Sequence, residues 1–267
     1  MAVPEAEANG IRLYYEEHGE GAPIACIHGG GSTALMWADA FDELAQLGRV
    51  IAYDRRGCTR SERPEPYETS VAEQAGDAAA LLDALDATPA VVIARSYGGA
   101  VAVEFAMRDP ERVRALALLE GDALGLSAAG LEWTRGIRDR LRDVAARDGV
   151  NRVYEALIDE VMGEGVWDAF PDDVRGVLTA NGPALLAELD YVDEEMPGPD
   201  AFASIEVPVL LVAASDSPQP QREMTEAMAE ALPSSRTAIV TGGHLIDPAT
   251  PEVVAFVEEV LEARPHA

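Results

Sequence analysis

The sequence predicts an α/β fold, a mostly parallel, twisted sheet with helices on both faces and a helical insertion late in the order. Three observations carry this. Short apolar, β-branched runs alternate with helical patterns between residues 23 and 119, the rhythm of strand–helix–strand units. After Glu120 the rhythm breaks, and from about 121 to 206 there is helical periodicity without a convincing buried strand. It resumes at Val207–Ala213 and continues to the last helix. The expected division is a core of 1–120 and 207–267 with 121–206 as an inserted helical cap.

Ala6–Ala8 and Ile11–Glu17 flank Asn9-Gly10, a hairpin signal. Pro23–Ile27 reads as a short buried strand ending in His28-Gly29-Gly30-Gly31. Leu35–Leu47, carrying Trp37 and Phe41, has the pattern of an amphipathic helix. Val50–Tyr53 is a strand running into Asp54-Arg55-Arg56-Gly57. Proline-rich residues 64–66 mark a loop, and Val71–Leu85 a helix. Ala90–Ala94 is apolar throughout, as a strand buried on both faces must be. An alanine-rich helical segment follows Gly98 and Gly99, and Val113–Leu119 is the next buried strand. Leu131–Ala146, Val150–Met162, Asp172–Leu178 and Ala184–Tyr191 are the helices expected in the insertion. Helix Glu223–Leu232, strand Thr237–Val240 and helix Pro251–Ala263 complete the chain.

Composition excludes several functions. The formal net charge is −28 and every basic residue is arginine. Without lysine there is no Schiff-base or pyridoxal chemistry. So acidic a surface repels nucleic acid and anionic membranes. Cys26 and Cys58, the only cysteines, suit a reducing cytosol better than a disulfide framework. Met-Ala-Val-Pro-Glu lacks the features of a signal peptide, and no apolar stretch reaches the length of a membrane span. A soluble cytoplasmic protein, monomer or homodimer, is expected. Histidines 18, 28, 244 and 266 are too scattered for a zinc site, and neither metal nor cofactor is expected.

The chemistry centres on Ser96. It stands between the strand Ala90–Ala94 and the helix opened by Gly98-Gly99, with almost no residues left for a turn. Such a junction strains one residue and projects its side chain from the top of the sheet, the geometry of a nucleophile elbow, with Ala94 in place of the first glycine. A plain helix N-cap is the other reading of the serine. Open parallel sheets place their sites at the carboxyl ends of strands. His28-Gly-Gly-Gly, Ser96, Glu120 and Asp216 all fall there, and His244 follows the last strand in Thr241-Gly-Gly-His-Leu.

With these pieces in this order, the chain resembles the α/β-hydrolase fold superfamily over nearly its whole length, as a serine-nucleophile, esterase- or lactonase-like member with a helical cap. The matching motifs are His28-Gly-Gly-Gly, Asp54-x-Arg-Gly, Ser96 in its elbow and Gly243-His244 before the final helix. The resemblance implies Ser96 as nucleophile, His244 as its base, and the backbone amides of Gly30 and Tyr97 as the oxyanion hole. His28 would brace its loop, and Asp54 and Arg56 would tie the neighbouring turn. Thr59 stands where many relatives carry a glycine. The acid has two candidates. Relatives most often place it after the strand Val207–Ala213, which points to Asp216, although aspartate in Ser-Asp-Ser-Pro has an ordinary role as a turn former. Glu120 closes the run Ala-Leu-Ala-Leu-Leu, where glutamate suits neither strand nor turn. Zearalenone-type lactone hydrolases look similar in using an acid there. The reading leans to Glu120, leaves Asp216 open and ranks Asp122 third. Arg95 either binds a substrate carboxylate or, the plainer reading, pairs with an acid of the cap or a loop. Trp37, with Met36, Trp133 and Trp167, either lines an acyl pocket or is plain core. The expected activity is hydrolysis of a carboxylic ester or lactone of a small apolar molecule. A signalling receptor with little turnover, a carbon–carbon bond hydrolase, a perhydrolase-type enzyme and a biosynthetic enzyme are the alternatives.

Overall fold

The computed structural model describes residues 4–263. Its strands are β1 (Glu5–Ala8), β2 (Ile11–His18), β3 (Pro23–Ile27), β4 (Arg49–Tyr53), β5 (Ala90–Arg95), β6 (Val113–Leu119), β7 (Val209–Ala214) and β8 (Ser235–Val240). They form one sheet in the order β1-β2-β4-β3-β5-β6-β7-β8. Only β1–β2 and β2–β4 are antiparallel; every other neighbouring pair is parallel. Asn9 and Gly10 take φ of 49° and 80°, the left-handed pair that a two-residue hairpin turn requires. The longer α-helices are α1 (Val71–Ala84), α2 (Tyr97–Arg108), α3 (Ala128–Asp148), α4 (Val153–Met162), α5 (Asp172–Ala180), α6 (Gly182–Glu188), α7 (Gln219–Ala231) and α8 (Pro251–Glu262).

Alternation along the central strands divides the core. Val91 and Ile93 of β5, with Ala115, Ala117 and Leu119 of β6, face Trp37 and the apolar side of α8. Val92 and Ala94, with Leu116 and Leu118, face α1, α2 and α7. Each fully buried valine or isoleucine here contributes about 1.5–3 kcal/mol of transfer free energy, so a one-residue slip of register is strongly opposed.

Leu35–Leu47 departs from the expected single α-helix. Ala34–Ala40 is a 3₁₀ helix capped by Thr33, and Phe41–Leu44 adds one α turn. The buried residues Ala34, Trp37 and Ala40 recur every third position, the repeat of a 3₁₀ helix. The Thr33 hydroxyl and the Ala34 amide both donate to Asp54 Oδ1, at 2.8 and 2.7 Å, which fixes where the segment starts.

Between β6 and β7 the chain is helical, from α3 through α6 to the short helix Pro199–Ala203. Ile137, Leu141, Val153, Ile158, Trp167 and Leu178 give this segment an apolar cluster of its own. No helix among the described residues is long and apolar enough to cross a membrane.

Candidate active site

β5 runs into α2 through Ser96 alone, which takes φ 51° and ψ −128°. A non-glycine residue held there stores on the order of 1–3 kcal/mol of strain, so its surroundings must over-determine it. They do. Ser96 N–H donates to the Leu119 carbonyl at 3.2 Å, and its own carbonyl accepts from Gly99 and Asp122 amides at 2.7 and 3.0 Å. A Cβ at Gly98 would lie 2.5 Å from the Ile27 and His28 carbonyl oxygens, and one at Gly99 would lie 2.4 Å from Gly121 Cα. Glycine at 98 and 99 lets the helix close onto β3 and the β6 loop.

The two candidate acids part company in the structure. Glu120 is fully buried, also with a left-handed φ of 48°. Its Oε2 lies 2.7 Å from His244 Nδ1, and its Oε1 accepts the Ala214 amide at 2.9 Å. Gln221 Nε2 donates to its carbonyl at 2.8 Å. Burial favours the protonated acid, but the imidazole and the amide outweigh it and hold the carboxyl below its ordinary range. Asp216 is exposed on the turn after β7, where it accepts the Ser215 hydroxyl at 2.9 Å. Asp216, the alternative left open beside Glu120, is not brought to His244: its turn is tied to Gly242 and its carboxylate faces solvent. Asp122 is bound by the Tyr191 hydroxyl at 2.6 Å.

The glycine loop after β3 passes beside Ser96, and a Cβ built on Gly29 would stand 3.9 Å from Ser96 Oγ. Among the described residues neither the Gly30 nor the Tyr97 amide donates to a protein acceptor; Tyr97, first residue of α2, has no intrahelical partner to give to. His28 is wholly committed to the loop. Its Nδ1 is 2.8 Å from the Gly29 carbonyl, and its Nε2 accepts the Arg55 amide at 2.9 Å. Burial, reinforced by the Arg55 charge, holds its pKa well below the ordinary histidine value, so it stays neutral.

Three residues not singled out in the sequence build the rest. Arg55 and Glu188 form a buried, two-pronged ion pair at 2.8 and 2.9 Å. Arg55 also donates to the His28 and Gly29 carbonyls, while Glu188 Oε2 accepts the Gly31 amide at 2.7 Å. The end of α6 is thereby tied to the glycine loop. Asn181 Oδ1 accepts the Thr59 amide at 2.8 Å and its Nδ2 donates to Thr59 Oγ1 at 2.9 Å, so threonine keeps the left-handed turn (φ 47°) that glycine adopts without strain. Arg55 carried a faint signal as the second residue of the Asp-Arg-Arg-Gly turn. Glu188 and Asn181 carried none, since their partners lie more than a hundred residues away.

Ser96, His244, Gly30 and Arg95 line one cleft of about 570 Å³ including its open mouth, walled mainly by Tyr154, Leu157 and Val161 of α4 and by Met36. Trp133 borders an adjoining cavity that also reaches Ser96 and His244. Trp37, open to either role in the sequence, is core and does not line it. It is fully buried under the sheet with the Arg95 guanidinium 5.1 Å above its ring. Trp167 is core of the helical insertion.

A serine at a strained strand–helix turn, a histidine held by a buried acid and a parallel sheet beneath them define a protein of the hydrolase class. The sequence profile of the Alpha/beta hydrolase family matches residues 24–255, and the chain belongs to that family. It is 31% identical over 257 residues to a provisionally named carbamate hydrolase, RutD, of Azorhizobium caulinodans, covering 94% of this chain and 95% of the other. It is 32% identical over 204 residues to the 2-hydroxy-6-oxo-2,4-heptadienoate hydrolase of Pseudomonas putida, covering 74% of this chain and 65% of that one. Its fold matches that of a thermophilic esterase from Thermogutta terrifontis with a TM-score of 0.76 and 26% identity, over 98% of this chain and 97% of the other.

Proposed function

We propose that this hydrolase cleaves a carboxylic ester or lactone of a small, largely apolar molecule through an acyl-enzyme at Ser96. One observation carries the reading: His244 Nδ1 lies 2.7 Å from buried Glu120, on the cavity that Ser96 also lines. A carboxylate can only accept, so Nδ1 carries the ring proton and Nε2 is free to act as base. Ser96 Oγ attacks the carbonyl carbon as Nε2 takes its proton. The carbonyl oxygen, now negative, is received by the unengaged amides of Gly30 and Tyr97, a pair whose members are worth about 10²–10³ in rate each. The imidazolium returns its proton to the leaving alcohol, and Glu120 offsets the transient positive charge. Water then repeats the sequence on the acyl-enzyme. None of these steps calls on a cofactor.

Residues 121–206 act in this reading as a cap that covers Ser96 and selects substrates through the apolar wall of α4. The names of two relatives favour a second reading, in which the same three side chains open a carbamate or a carbon–carbon bond. A panel of short 4-nitrophenyl esters and lactones, run on native protein and Ser96→Ala, separates them. Turnover that falls at least a thousandfold in Ser96→Ala, with fluorophosphonate labelling mapped to Ser96, is expected. An active Ser96→Ala, or labelling elsewhere, overturns the nucleophile.

A further inference from the structure

Arg95 occupies a position that the sheet reserves for core. Along β5 the side chains of Val91 and Ile93 enter the apolar layer around Trp37, and Arg95, two residues on, continues the same face. The side chain is 7% exposed. A buried guanidinium normally comes with a carboxylate. Among the described residues no carboxylate lies within 4 Å of this one, although Arg55, Arg56 and Arg60 each have one. Among the described residues its side chain makes one hydrogen bond, from Nη2 to the Ile246 carbonyl, and its buried Nε has no partner. The Trp37 ring lies beneath it, its centroid 5.1 Å from the guanidinium carbon. The other side borders the cavity that holds Ser96, His244 and the Gly30 loop. In a chain of net charge −28, an arginine without an ion-paired acid is conspicuous; Asp247 acts on it only from beyond ion-pair distance.

We infer that Arg95 is the recognition point for an anionic carboxylate on the substrate, so that the molecule cleaved at Ser96 carries an apolar chain ending in a second, free carboxylate. The inference rests on the hydrolase reading above and names its substrate class. One guanidinium presents a planar fork that matches one carboxylate. A phosphate dianion would call for further cations, and Arg95 is the one arginine that lines this cavity, Arg55 behind the glycine loop being paired with Glu188. The walls contributed by Leu157, Ile158, Val161 and Met162 suit a methylene chain between the two carboxyl groups. Burial supports the same picture: desolvation pulls the Arg95 pKa down to about 10, the opposite of what acid-paired Arg55 shows. An incoming carboxylate restores the counter-charge.

The test compares mono-4-nitrophenyl esters of succinate, glutarate and adipate with their methyl-capped neutral counterparts. In native protein at least one length should show a kcat/KM about tenfold or more above its neutral counterpart. Arg95→Gln should cut that charged-to-neutral ratio at least tenfold, and Arg95→Lys should restore part of it. A ratio at or below one for every length, or one that Arg95→Gln leaves unchanged, overturns the subsite and leaves Arg95 as a strut under the Ile246 loop. Circular dichroism and melting temperature check that the variants fold. Glutarate and adipate binding to Ser96→Ala, measured by calorimetry, gives a reading without turnover. Binding lost in Ser96→Ala/Arg95→Gln supports the subsite, while absence of binding, or displacement by inorganic phosphate in preference to the dicarboxylates, overturns it. Fluorophosphonate labelling of Ser96 reports separately on the hydrolase reading, so the two failures are distinguishable.

Discussion

Glu120 and Asp216 both stand where a strand of the sheet ends, and burial separates them. Glu120 replaces water with His244 and the Ala214 amide; Asp216 keeps its water. If Glu120 steadies the imidazole, Glu120→Gln should lower kcat by about 10⁴, the scale seen when a triad acid becomes an amide. Asp216→Asn should change it by less than about threefold, as expected of an exposed turn residue, and steady-state kinetics on one ester ranks the two. His28 yields a pH prediction. Its imidazole is held well below its ordinary value by burial and by Arg55, so as pH falls below about 6.5 the unfolded chain takes up a proton that the folded chain refuses. Stability contributed above that pH is therefore lost on acidification. Between pH 7 and 5 the melting temperature of His28→Gln should fall less steeply than that of the native protein.

At the scale of elements, the telling contact is between the end of α6 and the loops after β3 and β4. Glu188 neutralises Arg55 and holds the Gly31 amide, while Arg55 holds the His28 and Gly29 carbonyls. Breaking one side of such a buried pair costs about 3–5 kcal/mol, because the surviving charge is stranded. Glu188→Ala should lose about that much in urea unfolding. Arg55→Leu/Glu188→Leu should lose less than the two single changes added together, since neither charge is left behind. The pair also fixes the loop that carries Gly30, so the single variants should lose kcat even where they remain folded.

For the whole molecule, the dominant property is charge. At −28 the surface repels itself at neutral pH, although most arginines pair locally with acids, as Arg112 does with Asp83 and Asp109. Salt shortens the range of that repulsion to about 10 Å at 0.1 M. Raising sodium chloride from 0.05 to 0.5 M at pH 7 should raise the melting temperature, by about 2–4 °C for each 1 kcal/mol relieved. The gain should shrink at pH 5, where carboxylates begin to protonate, and calorimetry at both pH values checks it.

The sequence by itself determined the sheet and the strained strand–helix turn at Ser96. Apolar runs such as Ala90–Ala94 have one low-energy fate, and a serine between such a strand and two glycines has few conformations open to it. Local patterns suffice there because the causes are local: alternation, turn chemistry and the absence of a Cβ. Even so, Leu35–Leu47 shows the limit, since residues buried every third or fourth position fit a 3₁₀ and an α-helix alike until Asp54 anchors the start. Tertiary structure alone decided what depends on distant partners. Glu120 and Asp216 are equally acidic on paper, and only the packing of β6, β7 and the His244 loop buries one and leaves the other in water. Trp37 could be placed in a helix but not beneath Arg95, and Arg95 could be seen to be charged but not to lack an acid. Glu188 was silent because its partner stands 133 residues away. Charge, burial and reach become chemistry when the chain has closed around them, and no short stretch of sequence contains that closure.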